Sequence, residues 1–248
     1  MTEQPKRHEG GWETISPREL EPSELAPEPI RVDHVFKSGT HLLVDQDENN
    51  KPHIRFARDG KTVLDMEEYL PPGYSLIHAP HQEQRIAATK WYIDHAAQQI
   101  NVGAFDDVRS LFALLHEIGH ARDPEPIHVH AEAKKVATET ILNSDSSSDR
   151  QSAARELMRA VAARERGPSA YAVKTLREIA GRADFDTKEL FPTYKEFKDY
   201  IHEKLETYRD NIELTISKRA FPDTQEFLRF SEELWNAFHG AGPGKSNP

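Results

Sequence analysis

The stretch SLFALLHEIGHARD, Ser110 to Asp123, decides how this chain is read. Its apolar positions Leu111, Phe112, Leu114, Leu115 and Ile118, preceded by Val108, recur at helical spacing. Asp106 or Asp107 stands where a cap belongs, and Pro124 and Pro126 end the run near Asp123. On a helix, residues four apart stack on one face, so His116 and His120 point the same way with Glu117 beside them. Two imidazoles one turn apart are donors for a divalent metal, and Glu117 lies near enough to take a proton from metal-bound water. With 13 histidines in 248 residues, a shuffled chain contains His-Glu-x-x-His with a probability of roughly 0.07. The bare pattern therefore decides little, and its setting on a capped, amphipathic helix gives it weight. Gly119, lacking a side chain, lets that helix lie close to a neighbouring element.

A catalytic zinc needs a third protein ligand and an open position for water. Asp123 would have to fold back from a helix end. His128 and His130, in PIHVH, are read as an extended segment whose alternate residues face opposite ways, so at most one reaches the site, and solvated loop histidines are the simpler reading. Glutamates further on are better placed: Glu139 lies 19 positions after His120, and Glu165 lies 45 positions after it.

Composition narrows the chemistry. Zero cysteines exclude disulfides, thiolate metal sites and cysteine nucleophiles, leaving imidazole and carboxylate as metal donors. A net charge of −10 and a pI near 5.7 argue against a nucleic-acid binder, because neutralising phosphates takes a basic surface. No run approaches the length of a membrane span, and MTEQPKRHEGGWE lacks the apolar centre of a signal peptide, so the expectation is a cytoplasmic protein with no membrane partner.

Along the chain, residues 1–30 are rich in proline and glutamate and read as a disordered tail, as does AGPGKSNP at 241–248. Between them lies one expected domain, 31–240, strand-rich over 31–105 and helical over 106–240. Two or three strands are expected between Val32 and Leu64, joined at turns such as Ser38-Gly39 and Asp59-Gly60. YSLIHAP is a further strand candidate. WYIDHAAQQINV, Trp91 to Val102, reads as a strand or pair of strands just before the motif helix. Helices are expected over Ala131–Leu142, Ala153–Arg166 and, after an interruption at Pro168, Ser169–Ala180. NSDSSSD reads as a polar linker. Two more helices are expected, one from Thr193 with a capping box to Glu196 and a face of Phe197, Tyr200, Ile201, Leu205 and Tyr208. The other starts near Asp223 and carries Phe227, Phe230, Leu234 and Phe238. The fold class is α+β: a small N-terminal sheet of hairpins on a mainly helical domain.

LLHEIGHA, followed some forty residues later by the ARERGPSAYAVKTLREI stretch, Ala163 to Ile179, resembles small bacterial zinc metallopeptidases related to the ImmA/IrrE type. DYIHEKLETY, Asp199 to Tyr208, fits a later segment of the same pattern, so the resemblance covers roughly Trp91 to Tyr208. It implies a zincin-like fold and a gluzincin-like peptidase, with zinc on His116, His120 and Glu165 and Glu117 as the base. The Glu139 spacing is similar to that of thermolysin-like gluzincins, but its neighbours match nothing more specific, and Glu165 is preferred. The resemblance also implies a protein or peptide partner, with a transcriptional regulator or antitoxin as the analogue. Where the pattern has Ala-Trp, this chain has Pro168-Ser169, which implies an altered pocket wall. That departure leaves an alternative reading, a catalytically silent zinc-binding regulatory protein of the same fold. Tyr171, His95 and Arg166 are candidates to stabilise an oxyanion, and the strand within IDHAAQQINV is a candidate to hold an extended peptide.

Overall fold

The computed structural model describes residues 29–81, 86–123 and 125–211. The protein is mixed α+β, with an N-terminal antiparallel sheet and a helical region. Strands β1 (Val32–Val35), β2 (His41–Gln46), β3 (Pro52–Arg58) and β4 (Lys61–Asp65) form a meander in the order β1-β2-β3-β4. Alternation sends Leu42 and Val44, Ile54 and Phe56, and Leu64 to one face, where the register pairs Leu42 with Phe56 and Val44 with Ile54. Four strands stand where two or three were expected. Asp59 and Gly60, at φ 50° and 73°, make the tight two-residue turn between β3 and β4. β4 buries Leu64 alone, so its hydrophobic alternation is too thin to announce a separate strand.

A second sheet has the order β5-β7-β6, built from β5 (Ser75–Ile77), β6 (Tyr92–Asp94) and β7 (Gln99–Asn101). β7 is central, parallel to β5 and antiparallel to β6. The Trp91–Val102 stretch is thus a pair of strands, and among the described residues β6 pairs along one side only.

Helix α1 (Ser110–Arg122) carries the motif. Asp107 acts at its entrance, its Oδ1 accepting from the Arg109 amide at 2.8 Å. α2 (Glu125–Asn143) begins six residues earlier than expected, because Pro126 falls in its first turn, where an amide has no helical partner anyway. The PIHVH segment is therefore helical rather than extended. α3 (Ser147–Ala183) is one helix of 37 residues, about 55 Å long. It starts inside the serine run, with Ser146 Oγ accepting from the Asp149 amide at 3.3 Å. α4 (Tyr194–Asn211) begins after Thr193, whose Oγ1 accepts from the Glu196 amide at 3.3 Å; Phe197 and Ile201 are buried, and Tyr200 is half-buried. The expected side-chain roles of Leu205 and Tyr208, the helix near Asp223, the C-terminal tail and the N-terminal tail up to residue 28 lie outside what is described, whereas Ile30, expected in that tail, is buried in the core and donates its amide to Gln46 Oε1 at 3.1 Å. No helix among the described residues is long and apolar enough to cross a membrane.

The expected interruption at Pro168 does not occur. A proline inside a helix removes one hydrogen bond, here to the Arg164 carbonyl, and crowds that carbonyl, at a cost of about 3 kcal/mol. Burial offsets it. Pro168 lies on the inward face of α3 together with Glu165, Ser169, Ala172, Val173, Leu176, Ile179, Ala180 and Ala183, a run at spacings of three and four. This face meets α1 at Gly119, where an added Cβ would stand 2.7 Å from Pro168 Cα. The C-terminal end of α3 is tied to the first sheet. Thr40 Oγ1 donates to the Ala183 carbonyl at 2.7 Å, Arg58 Nη2 donates to Asp184 Oδ2 at 2.7 Å, and Phe185 stacks on Phe36 with centroids 4.2 Å apart.

Gly119→Ala should therefore destabilise the protein by about 1–3 kcal/mol, since backbone rather than a flexible side chain must yield. Gly181→Ala, on an open face of α3, should instead stabilise it by up to about 1 kcal/mol. Urea denaturation of the two variants beside the wild type checks both signs.

Candidate metal centre

His116 and His120 project from one face of α1, with ring centroids 4.7 Å apart and planes at 85°. Glu165 descends from α3 between them. Its Oε2 lies 2.8 Å from His116 Nε2 and 3.1 Å from His120 Nε2, and the two nitrogens are 3.1 Å apart. Glu165 is 1% exposed and His120 5%. A carboxylate so deeply buried requires positive charge beside it. Burial opposes its ionisation, and hydrogen bonds with His116 and His120 more than reverse this, holding Glu165 well below the usual carboxylate range.

The donor set suits a metal ion. Two imidazole nitrogens and one carboxylate oxygen converge on one point, which is the His2Glu chemistry that holds divalent ions. Ligands at about 2.05 Å from a tetrahedral ion lie about 3.3 Å from one another, and the three separations here, 2.8 to 3.1 Å, are slightly tighter. These three residues are the group among the described residues that could hold a metal ion.

Two neighbours complete the centre. Ser169 Oγ lies 3.1 Å from His116 Nδ1. Arg164 donates from Nε to the other oxygen of Glu165, and its Nη1 lies 3.3 Å from His130 Nδ1. Burial first, and then the Arg164 charge, push His130 down to about 4. His130 thus reaches the arginine behind the Glu165 carboxylate. It is not one of the three converging residues.

The other sequence candidates fall elsewhere. Glu139 is exposed on α2 and Asp123 is exposed at the end of α1. Nothing is described of the His128 side chain. His95 Nδ1 is 2.9 Å from the Tyr74 hydroxyl, Tyr171 lies beneath the Arg122 guanidinium at 5.3 Å, and Arg166 is exposed. Glu117 is half-buried on α1, next to His116. One turn before it, Ala113 forms part of the wall of a cavity of about 330 Å3 between α1 and α4, shared with Ser110 and Tyr200. Sequence reasoning did not single out Ser169 or Arg164 as parts of the centre. The signal for Ser169 was its position four residues after Glu165, one helical turn on the same face, hidden by the assumption that Pro168 breaks the helix.

No protein-family model, curated protein or solved structure matches the chain. The geometry stands on its own.

Two outcomes follow. Glu165→Ala should lower the affinity for zinc at least 10-fold, while Glu139→Ala leaves it unchanged, as read by competition with a chromophoric chelator. The depressed His130 supports the fold fully above its ordinary value of 6.5 and loses that contribution as pH falls through about 4. His130→Gln should therefore flatten the decline in unfolding free energy of the metal-free protein between those two pH values.

Proposed function

We propose that the protein is a zinc metallopeptidase with a zincin-like active-site helix. The observation that carries this reading is the convergence of His116, His120 and Glu165 beside an acid, Glu117, in the same helical turn. Two neutral imidazoles and one carboxylate match the ligand set of catalytic zinc, and no cysteine competes for the role. Zinc, when bound, supplies a Lewis acid that polarises a peptide carbonyl and makes water acidic near neutral pH.

The remaining work falls to the chain. His116 and His120 contribute neutral nitrogens and Glu165 contributes the charge. Glu117 takes the proton of the attacking water and returns it to the departing amine, so its carboxylate ends the cycle as it began. A substrate peptide in extended form is best accommodated along β6, which among the described residues is paired on one side only, and not along β7, which is paired on both. The substrate class is a protein or peptide, and the ImmA/IrrE-type resemblance makes a transcriptional regulator or antitoxin the first candidate.

Glu117→Gln removes the base while leaving the three ligands in place. It should bind about one equivalent of zinc and lose about 100- to 10,000-fold in the rate of peptide cleavage. Metal analysis and a mixed-peptide cleavage assay read by mass spectrometry check both halves. A wild-type protein that binds zinc and cleaves no peptide would instead be a zinc-binding regulatory protein, and an E117Q variant as fast as wild type would remove Glu117 as the base.

A further inference from the structure

We infer that Ser169 is a positioning residue that holds the aim of His116 and accepts from its Nδ1–H when Nε2 binds an ion. This rests on the metal-ligand set proposed above.

Ser169 is 3% exposed, and its hydroxyl faces one atom of the centre, His116 Nδ1, at 3.1 Å. Glu165, four residues earlier on the same face of α3, faces the opposite nitrogen of the same ring at 2.8 Å. One helical turn of α3 therefore grips both ends of the His116 imidazole. The ring cannot swing about its side-chain bonds without leaving one of the two partners. His120 has no such device: its Nδ1 is buried without a hydrogen-bond partner among the described residues.

The direction of the bond follows from the chemistry of ligation. His116 binds an ion through Nε2 only if that nitrogen carries its lone pair, so the ring proton must sit on Nδ1. Nδ1–H then donates, and the Ser169 oxygen accepts. The reversed bond, with the serine donating to Nδ1, would leave the ring proton on Nε2 and close the ligand position. When an ion takes Nε2 and the ring proton moves to Nδ1, the Ser169 oxygen is the acceptor already in place for it, and that bond holds the ring's aim and raises the basicity of Nε2. Pro168 and Gly119 act in the same arrangement, since the close approach of the two helices brings the short serine side chain within reach.

The test compares wild type, Ser169→Ala and Ser169→Thr, with His116→Ala as the ligand control. Alanine is a better helix former than serine, so S169A keeps α3, and metal-free unfolding midpoints verify this. Zinc affinity by chelator competition should fall about 10- to 100-fold in S169A and recover in S169T, which keeps the hydroxyl. Long-range proton–nitrogen NMR on histidine-labelled, zinc-loaded protein should place the His116 proton on Nδ1 in the wild type, with weakened or exchange-broadened signal in S169A. An S169A variant with wild-type affinity and an unchanged Nδ1–H signal, beside an H116A variant that has lost zinc, would overturn the role of Ser169 and leave the ligand set intact. A wild-type protein that binds no zinc would overturn both.

Discussion

The close approach of α1 and α3 at Gly119 and Pro168 is the constraint on which the centre depends. Gly119 sits between the two histidines, three residues after His116 and one before His120. Pro168 sits between their partners, three residues after Glu165 and one before Ser169. This close backbone contact thus falls within the polar cluster on both helices. A side chain at 119 would wedge the helices apart, and the separations of about 3 Å that join His116, His120 and Glu165 would open with them. The lost helical hydrogen bond at Pro168 is local, whereas the alignment it accompanies serves the whole site.

The cluster also shows how an acidic protein arranges charge at short range. A carboxylate nearly sealed from water would be expelled or neutralised if left alone. Here one oxygen of Glu165 faces two imidazoles and the other faces Arg164, so both are occupied by groups that favour the ionised form. His130 lies behind the arginine and is kept uncharged by burial and by that same cation. The two imidazoles and the guanidinium together stabilise Glu165, and an uncharged His130 adds no second positive charge on the far side of the guanidinium.

Much of this was legible in the sequence, because helical periodicity is a strong signal when an apolar face is broad. Leu111, Leu114, Leu115 and Ile118 announced α1, and with it the shared face of His116 and His120. Phe197 and Ile201 announced α4 in the same way. What could not be read were features set by distant partners. Pro168 looked like a break because the local rule is sound, and only burial against Gly119 overrides it. PIHVH looked extended for the same kind of reason, since Pro126 reads as a terminator unless one knows that a helix starts around it. The choice of Glu165 over Glu139 rested on resemblance to a known pattern, because spacing along a chain does not say which of two helices turns an acid inward. Ser169 was hidden by the mistaken break, which removed the register that would have placed it one turn from Glu165.

The 45 residues separating His120 from Glu165 give the centre a topological consequence. This chain has no cysteine and so no disulfide, and a bound ion would tie together two points far apart in sequence, closing a loop that runs through all of α2 and the first half of α3. By the entropy relation used for disulfides, a closure of that length disfavours the open chain by about 4 kcal/mol. The ion would then act as a removable staple, making the persistence of the α2–α3 hairpin depend on the supply of metal.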